Sequence, residues 1–413
     1  MIRAGDTNKA GAHVSTIIIV ATCALVYFLD GLVHTIMGPL APEFAPALGL
    51  SSAELGPIFS ANLIGQCIGL IALPPVAARF GDRWTVGLTL AGFGIMQAAT
   101  GLANSGTELF WMRLITGIFL GGCLPSCLAM VTAAAPAPRR GLAITSLFTG
   151  YGLGATMAGM VAVTFAGLGG WRAAMVAIGV VCVASAVVAL VFLRDVADPD
   201  AADDAAQPGA NPLALLSSDY RLGTLMLWLV FISMLTISYC LSSWLPVLLV
   251  RIGYDAAFAA VALSIFSFGG IAAALGVGVM IDRFGAVRVI VSCMLISAVL
   301  FVVTAGMIGA SSALALQAML GACGFFALGA YGGVNVILAS FYPYRLRSTG
   351  IGWAKSVGRI GTVAAPVLIG LQLQAGIPER TILASFAAPA LLAAIALLVM
   401  KVFNRSVIAT ERL

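Results

Sequence analysis

Between short clusters of charge and Gly/Pro punctuation, this chain runs in apolar segments with only isolated polar interruptions. They fall at 15–41, 55–77, 85–103, 109–134, 142–166 and 171–193, and again at 222–250, 256–281, 287–307, 312–341, 348–374 and 382–402. Each is close to the roughly 20 residues that an α-helix needs to cross a hydrocarbon layer of about 30 Å. The pattern predicts an all-α membrane protein with twelve transmembrane helices in two six-helix bundles. The N-terminal bundle covers 1–193 and the C-terminal bundle 222–413. Between them, 194–221 is acidic and rich in Ala and Pro, the composition of a solvated linker. The first fourteen residues are polar and the segment after them is long enough to span, so no cleavable leader is expected.

Composition excludes the soluble classes. The chain is 61% hydrophobic and 9% charged, with mean hydropathy +1.08, whereas soluble domains carry about 25% charged residues. The net charge of +5 has a topological origin. Of the 21 Lys and Arg residues, three fall deep inside predicted spans, and of the remaining eighteen, in loops or at span ends, only Arg172, Arg251 and Arg380 lie on the side opposite the termini. Fifteen against three places both termini in the cytoplasm, and a multi-pass plasma (inner) membrane location follows. Because the excess charge sits in cytoplasmic loops, nucleic-acid binding has no support.

The three embedded cations are Arg113, Lys355 and Arg359, and the one acid deep in a span is Asp30. A charge near the bilayer centre costs about 2.5–3.5 kcal/mol on insertion scales, so such groups are expected to face a polar cavity. Lys355 and Arg359 are one turn apart on one helix face, where like charges repel and an anion between them is stabilised. Three cations against one carboxylate leave a cavity short of negative charge, which an anionic solute supplies. Arginine suits that role because its planar fork pairs bidentately with a carboxylate. For Arg113, five residues past Glu108, snorkelling or bracing of helix packing is the competing role, and Lys355 also has snorkelling open to it.

His34 lies one turn beyond Asp30. Carboxylate and imidazole together are the groups a proton-coupled carrier needs, since imidazole titrates near neutrality. The alternative for His34 is a hydrogen bond to a backbone carbonyl or water. The eight cysteines all fall in apolar segments and read as packing residues. Cys123 and Cys127 share a face, but two thiols and distant histidines make no metal site. No cofactor is expected, and with no nucleophile–base or metal constellation neither is an enzyme.

The two halves echo each other, with RFG at 79–81 and again at 283–285, each after the second span of its six. Such repetition is expected of carriers whose solute site lies at mid-membrane. More specific are Asp30-Gly31, Arg113-x-x-Thr116-Gly117, Trp244-Leu245-Pro246, and the run from Tyr342-Pro343 through Arg347-x-Thr349-Gly350-x-Gly352-Trp353-Ala354 to Gly358-Arg359-x-Gly361. On these residues the chain resembles the major facilitator superfamily, and within it the aromatic acid/proton symporter family, from the first span through the eleventh. The resemblance implies the major facilitator fold and proton-coupled import of a small aromatic carboxylate by alternating access. It also implies a gating loop at Asp282, Arg283 and Arg288, with Arg79 and Arg83 as the first-half counterpart. Four positions depart from the pattern: Val33 stands where the family's second first-helix acid would be, and in the first gating loop Ala78 stands for the acid, Pro74 for the glycine and Asp82 where a base is common.

The expected substrate-binding set is therefore Arg359, Lys355 and Arg113 for the carboxylate, with Trp353, Tyr331 and Trp244 as ring contacts. Asp30 and His34 form the proton-coupling pair. The expected partners are a small organic anion, protons and the lipid bilayer. A carrier for a non-aromatic organic anion is the alternative reading, and a proton-antiport exporter of cations would need acids to outnumber bases.

Overall fold

The computed structural model describes residues 4–136, 139–194, 212–218, 220–309 and 312–403. Most of the expected linker, together with Arg3, Arg405 and Arg412, lies outside them.

The helices of the first half are α1 (Ala4–Thr35), α2 (Met37–Ala47), α3 (Ser52–Ala72), α4 (Pro74–Phe80), α5 (Asp82–Thr100), α6 (Gly106–Ala134), α7 (Arg140–Ala166) and α8 (Gly170–Phe192). After a short 3₁₀ turn at Pro212–Leu216 come α9 (Arg221–Ile252), α10 (Ala256–Phe284), α11 (Ala286–Met307), α12 (Ala313–Phe341), α13 (Tyr344–Gln374), α14 (Glu379–Ser385) and α15 (Ala387–Phe403).

Local chemistry sets the ends. Pro39 has no N–H to give the carbonyl of Thr35, and the first span breaks there into α1 and α2. Ser105, Asp255 and Ser312 cap α6, α10 and α12, each accepting a backbone N–H from three residues on. Gly253 closes α9 at φ +108°, a conformation that suits glycine.

Among the described residues eleven spans are long and apolar enough to cross a membrane, α1 with α2 and α14 with α15 each counting as one. The twelfth is α5, which is 19 residues long. It is less apolar because Thr85, Thr89, Gln97 and Thr100 lie on it, all buried. The threonine hydroxyls bond back to carbonyls four residues earlier, at 2.8–2.9 Å. Many outward side chains are apolar, among them Ile71, Val180, Val191 and Val402, as a lipid-facing surface requires.

Two compact units divide the chain. One comprises residues 1–49 and 61–207, the other 50–60 and 208–413, so the first turns of α3 belong to the second unit. Within the first, α1 packs on α7 and α5 on α8; within the second, α9 packs on α13 and α11 on α15. Each unit thus pairs its first span with its fifth and its third with its sixth. A Cβ on Gly154 of α7 would collide with the carbonyl oxygen of Phe28 on α1, and one on Gly324 of α12 with that of Phe266 on α10. Small residues let these backbones meet directly.

Candidate functional site

In the first unit a polar cluster forms around His34, near the C-terminal end of α1. Its Nδ1 lies 3.2 Å from Nδ2 of Asn62 and 3.3 Å from Nε2 of Gln66, both on α3. The ring of Tyr151 on α7 stands 6.2 Å away, centroid to centroid, and Tyr151 also leans on Tyr27 of α1 at 5.7 Å. One turn below His34, Asp30 is buried, 4% exposed, within electrostatic range of Cys182 on α8. The expected proton pair is therefore on one helix face, and around it stand Asn62, Gln66 and Tyr151. Single carboxamides inside apolar segments were the signal for these neighbours, weak because they carry no formal charge.

Arg113 on α6 is placed differently from the substrate-facing role expected of it. Its side chain is 0% exposed. Nη2 donates to Oε1 of Gln97 at 2.5 Å and to the hydroxyls of Thr100 and Thr116 at 3.2 Å. Gln97 and Thr100 are on α5, so the guanidinium ties α6 to α5 inside the first unit. The polar residues that lower the hydropathy of α5 are the ones that hold this cation.

In the second unit Lys355 and Arg359 occupy one face of α13, as their spacing requires, Lys355 exposed and Arg359 half-buried. Arg359 acts electrostatically on Lys355 and on the phenol of Tyr331 on α12, and Tyr239 on α9 is also within electrostatic range of Tyr331. Phe231 of α9 stands edge-on to the Tyr331 ring, centroids 6.1 Å apart. Two cations and two phenols from three helices are thereby brought together.

The two tryptophans expected as ring contacts lie elsewhere. Trp353 is about 200° around α13 from Lys355, since positions two apart do not share a face. It is 43% exposed and falls on the stripe of Ile360, Leu368 and Leu371, a lipid-type face, stacked against Trp228 at 6.1 Å. Trp244 is 0% exposed and edge-on to Phe59 at 5.3 Å, enclosed in the packing of the second unit.

Among the residues expected to gate, Arg83 is engaged at the end of α8, its Nε donating to the carbonyl of Leu190 at 2.9 Å, where a cation complements the helix C-terminus. Arg79 lies over Phe80, 5.4 Å from the ring centre. Asp282, Arg283 and Arg288 are exposed at the α10–α11 turn. Asp282 also lines a cavity of about 310 Å³ between α10 and α12, floored by Gly270, Gly278, Gly329 and Gly332. Among the described residues no His/Cys/Asp/Glu group could hold a metal ion.

The sequence profile of the Major Facilitator Superfamily matches residues 23–278 and 252–412. A gallate transporter of Pseudomonas putida is 30% identical over 92% of this chain and 91% of its own length. The 4-hydroxybenzoate transporter PcaK of the same organism is 29% identical at the same coverage. Among solved structures, a D-xylose–proton symporter superposes with TM-score 0.76 at 15% identity over 92% of this chain and 97% of its own. The xylose transporter XylE from E. coli superposes with TM-score 0.75 at 15% identity, over 93% and 96%. With two six-span units, embedded charge in each and relatives of this kind along nearly its whole length, the chain belongs to the Major Facilitator Superfamily of membrane transporters, in its family of aromatic acid transporters.

Proposed function

We propose that this protein imports a small aromatic carboxylate, benzoate- or hydroxybenzoate-like, together with protons by alternating access. The observation that carries the reading is the pair Lys355 and Arg359, two cations one turn apart on a membrane-embedded face, with the phenol of Tyr331 in electrostatic range of Arg359 and that of Tyr239 in range of Tyr331. Like charges so placed are relieved by an anion, and the guanidinium fork accepts a carboxylate in two hydrogen bonds. Phenols give an aromatic acid both ring contact and hydroxyl partners. Relatives named for 4-hydroxybenzoate and gallate support the same substrate class.

Residue roles follow. Arg359 and Lys355 take the carboxylate and Tyr331 the ring. Trp244, Trp353 and Arg113 serve packing, lipid contact and bracing, which revises the larger set expected from sequence. Asp30 with His34 takes up the proton. Asp282, Arg283 and Arg288, with Arg79 and Arg83, govern closure at the cytoplasmic side. In this reading the bundles 1–193 and 222–413 rock about a cytoplasmic linker at 194–221, with both termini in the cytoplasm of an inner-membrane protein.

Purified protein in proteoliposomes tests this. Labelled 4-hydroxybenzoate should accumulate when the outside is made acidic, benzoate-type acids should compete, and a protonophore should abolish accumulation. Competition by aliphatic acids alone would overturn the aromatic assignment.

A further inference from the structure

The seat of His34 carries a second step, which rests on the proton-coupled reading above. Nδ1 of the ring faces two side-chain amides at once, Nδ2 of Asn62 at 3.2 Å and Nε2 of Gln66 at 3.3 Å. Amide nitrogens only donate, so with these carboxamide orientations Nδ1 is the acceptor and the neutral ring carries its proton on Nε2. Asn62 is 5% exposed, and its Oδ1 is buried with no hydrogen-bond partner. A half-turn of this carboxamide exchanges the two ends: Oδ1 would then face Nδ1 and the amide would take the place of the unsatisfied oxygen. A carboxamide can serve a ring nitrogen either as donor or as acceptor without moving its backbone.

We propose that Asn62 and Gln66 are the positioning residues of the proton step: they hold resting His34 with Nδ1 unprotonated, and rotation of the Asn62 carboxamide lets Nδ1 take a proton from hydronium and donate the new N–H in a hydrogen bond to Oδ1. The step breaks one O–H bond of a hydronium ion, forms one N–H bond on the ring, leaves Nε2–H in place and releases one water molecule. Asp30 is one turn away on the same helix, and Tyr151 approaches from α7. On α6, Arg113 is turned to Gln97, and Cys127 to Cys123 at 4.0 Å. On α8, Cys182 is within electrostatic range of Asp30, and on α2, Glu43 is occupied by the backbone N–H of Trp171.

The chain contains two histidines, His13 and His34, so the His13→Ala protein labelled with ¹⁵N-histidine and reconstituted in liposomes reports a single ring. At alkaline pH the expected spectrum is one neutral tautomer with Nδ1 unprotonated, and on acidification Nδ1 gains a proton. Asn62→Asp, which presents only acceptors, should keep Nδ1 protonated at a pH where the parent ring is neutral. It should also extend the alkaline limb of the uptake profile by about one pH unit, tenfold in proton activity. Asn62→Leu should abolish the single-tautomer signature, and Asn62→Gln should restore it in part. If the resting ring is protonated on Nδ1, or if Asn62→Asp leaves both the tautomer and the uptake profile unchanged while the protein stays folded, the inference is overturned. The spectrum is read without transport, so the expected tautomers together with protonophore-insensitive uptake would uphold the seat and reject the coupling reading instead.

Discussion

Arg113 and Gln97 form a hydrogen bond at 2.5 Å between two side chains that are both 0% exposed. The bond joins α6 to α5 at a depth where no water replaces a lost partner. Leaving a buried charged donor unsatisfied costs at least the usual 1–3 kcal/mol of a buried polar group. Gln97→Leu is therefore expected to lower the detergent-solubilised Tm by several degrees while leaving KM for substrate within about twofold. Gln97→Glu, which offers the guanidinium a carboxylate, should recover much of the loss. A large rise in KM at unchanged Tm would show that Arg113 meets substrate after all.

Arg359 should behave in the opposite way. Arg359→Ala removes a bidentate carboxylate partner, for which a loss on the order of 100-fold in apparent affinity is expected, about 2.7 kcal/mol. Arg359→Lys keeps the charge and loses the fork, so its effect should be intermediate. Lys355→Ala should cost less than Arg359→Ala, because the lysine is the more exposed of the two. Initial uptake rates against substrate concentration separate these KM effects from changes in turnover.

Much of the fold was legible in the sequence, for a physical reason. A bilayer fixes the length of each element, and α-helices satisfy their own backbone, so apolar run length carries most of the architecture. The embedded charges were legible because each is costly. What they face was not. Arg113 looked like a cavity cation because its acceptors, Gln97 and Thr100, are neutral residues on another helix, and no spacing rule links α5 to α6. The partners of His34 were hidden likewise, as Asn62 and Gln66 are single amides in an apolar run. Trp353 and Lys355 are two positions apart in sequence, yet α13 turns the two to opposite faces.

That helix geometry gives a contrast between the two tryptophans. Trp353→Leu replaces one lipid-facing apolar side chain with another and should change neither KM nor stability beyond about 0.5 kcal/mol. Trp244→Ala empties an enclosed site beside Phe59 and should cost about 3–5 kcal/mol. Thermal unfolding of the two purified variants, with uptake by Trp353→Leu as control, checks both statements. Substrate protection that disappears in Trp353→Leu would return the residue to the binding set.

Backbone contact between α1 and α7 sets another limit. Gly154 leaves no room for a Cβ against the carbonyl of Phe28, and backbone, unlike a side-chain tip, does not yield. Gly154→Ala is expected to destabilise by about 1–3 kcal/mol through overpacking. The same substitution at Gly278, where nothing lies within 4 Å of the added carbon, should be nearly neutral. Expression level and Tm of the pair provide the comparison.

Asp30 allows transport and coupling to be separated. Asn at this position has nearly the same shape as a protonated Asp but cannot release or take up a proton. If Asp30 is the group that cycles, Asp30→Asn should still exchange labelled for unlabelled substrate across the membrane, because exchange needs no net proton movement. Accumulation should fail. A one-unit inward pH step drives about tenfold accumulation for each proton carried, and the variant should come to rest at equal concentrations instead. His34→Gln, by contrast, leaves the carboxylate in place and should shift the pH range of accumulation rather than abolish it. Counterflow and pH-jump uptake on the same vesicles measure both properties, and undiminished accumulation by Asp30→Asn would move the proton site elsewhere in the chain.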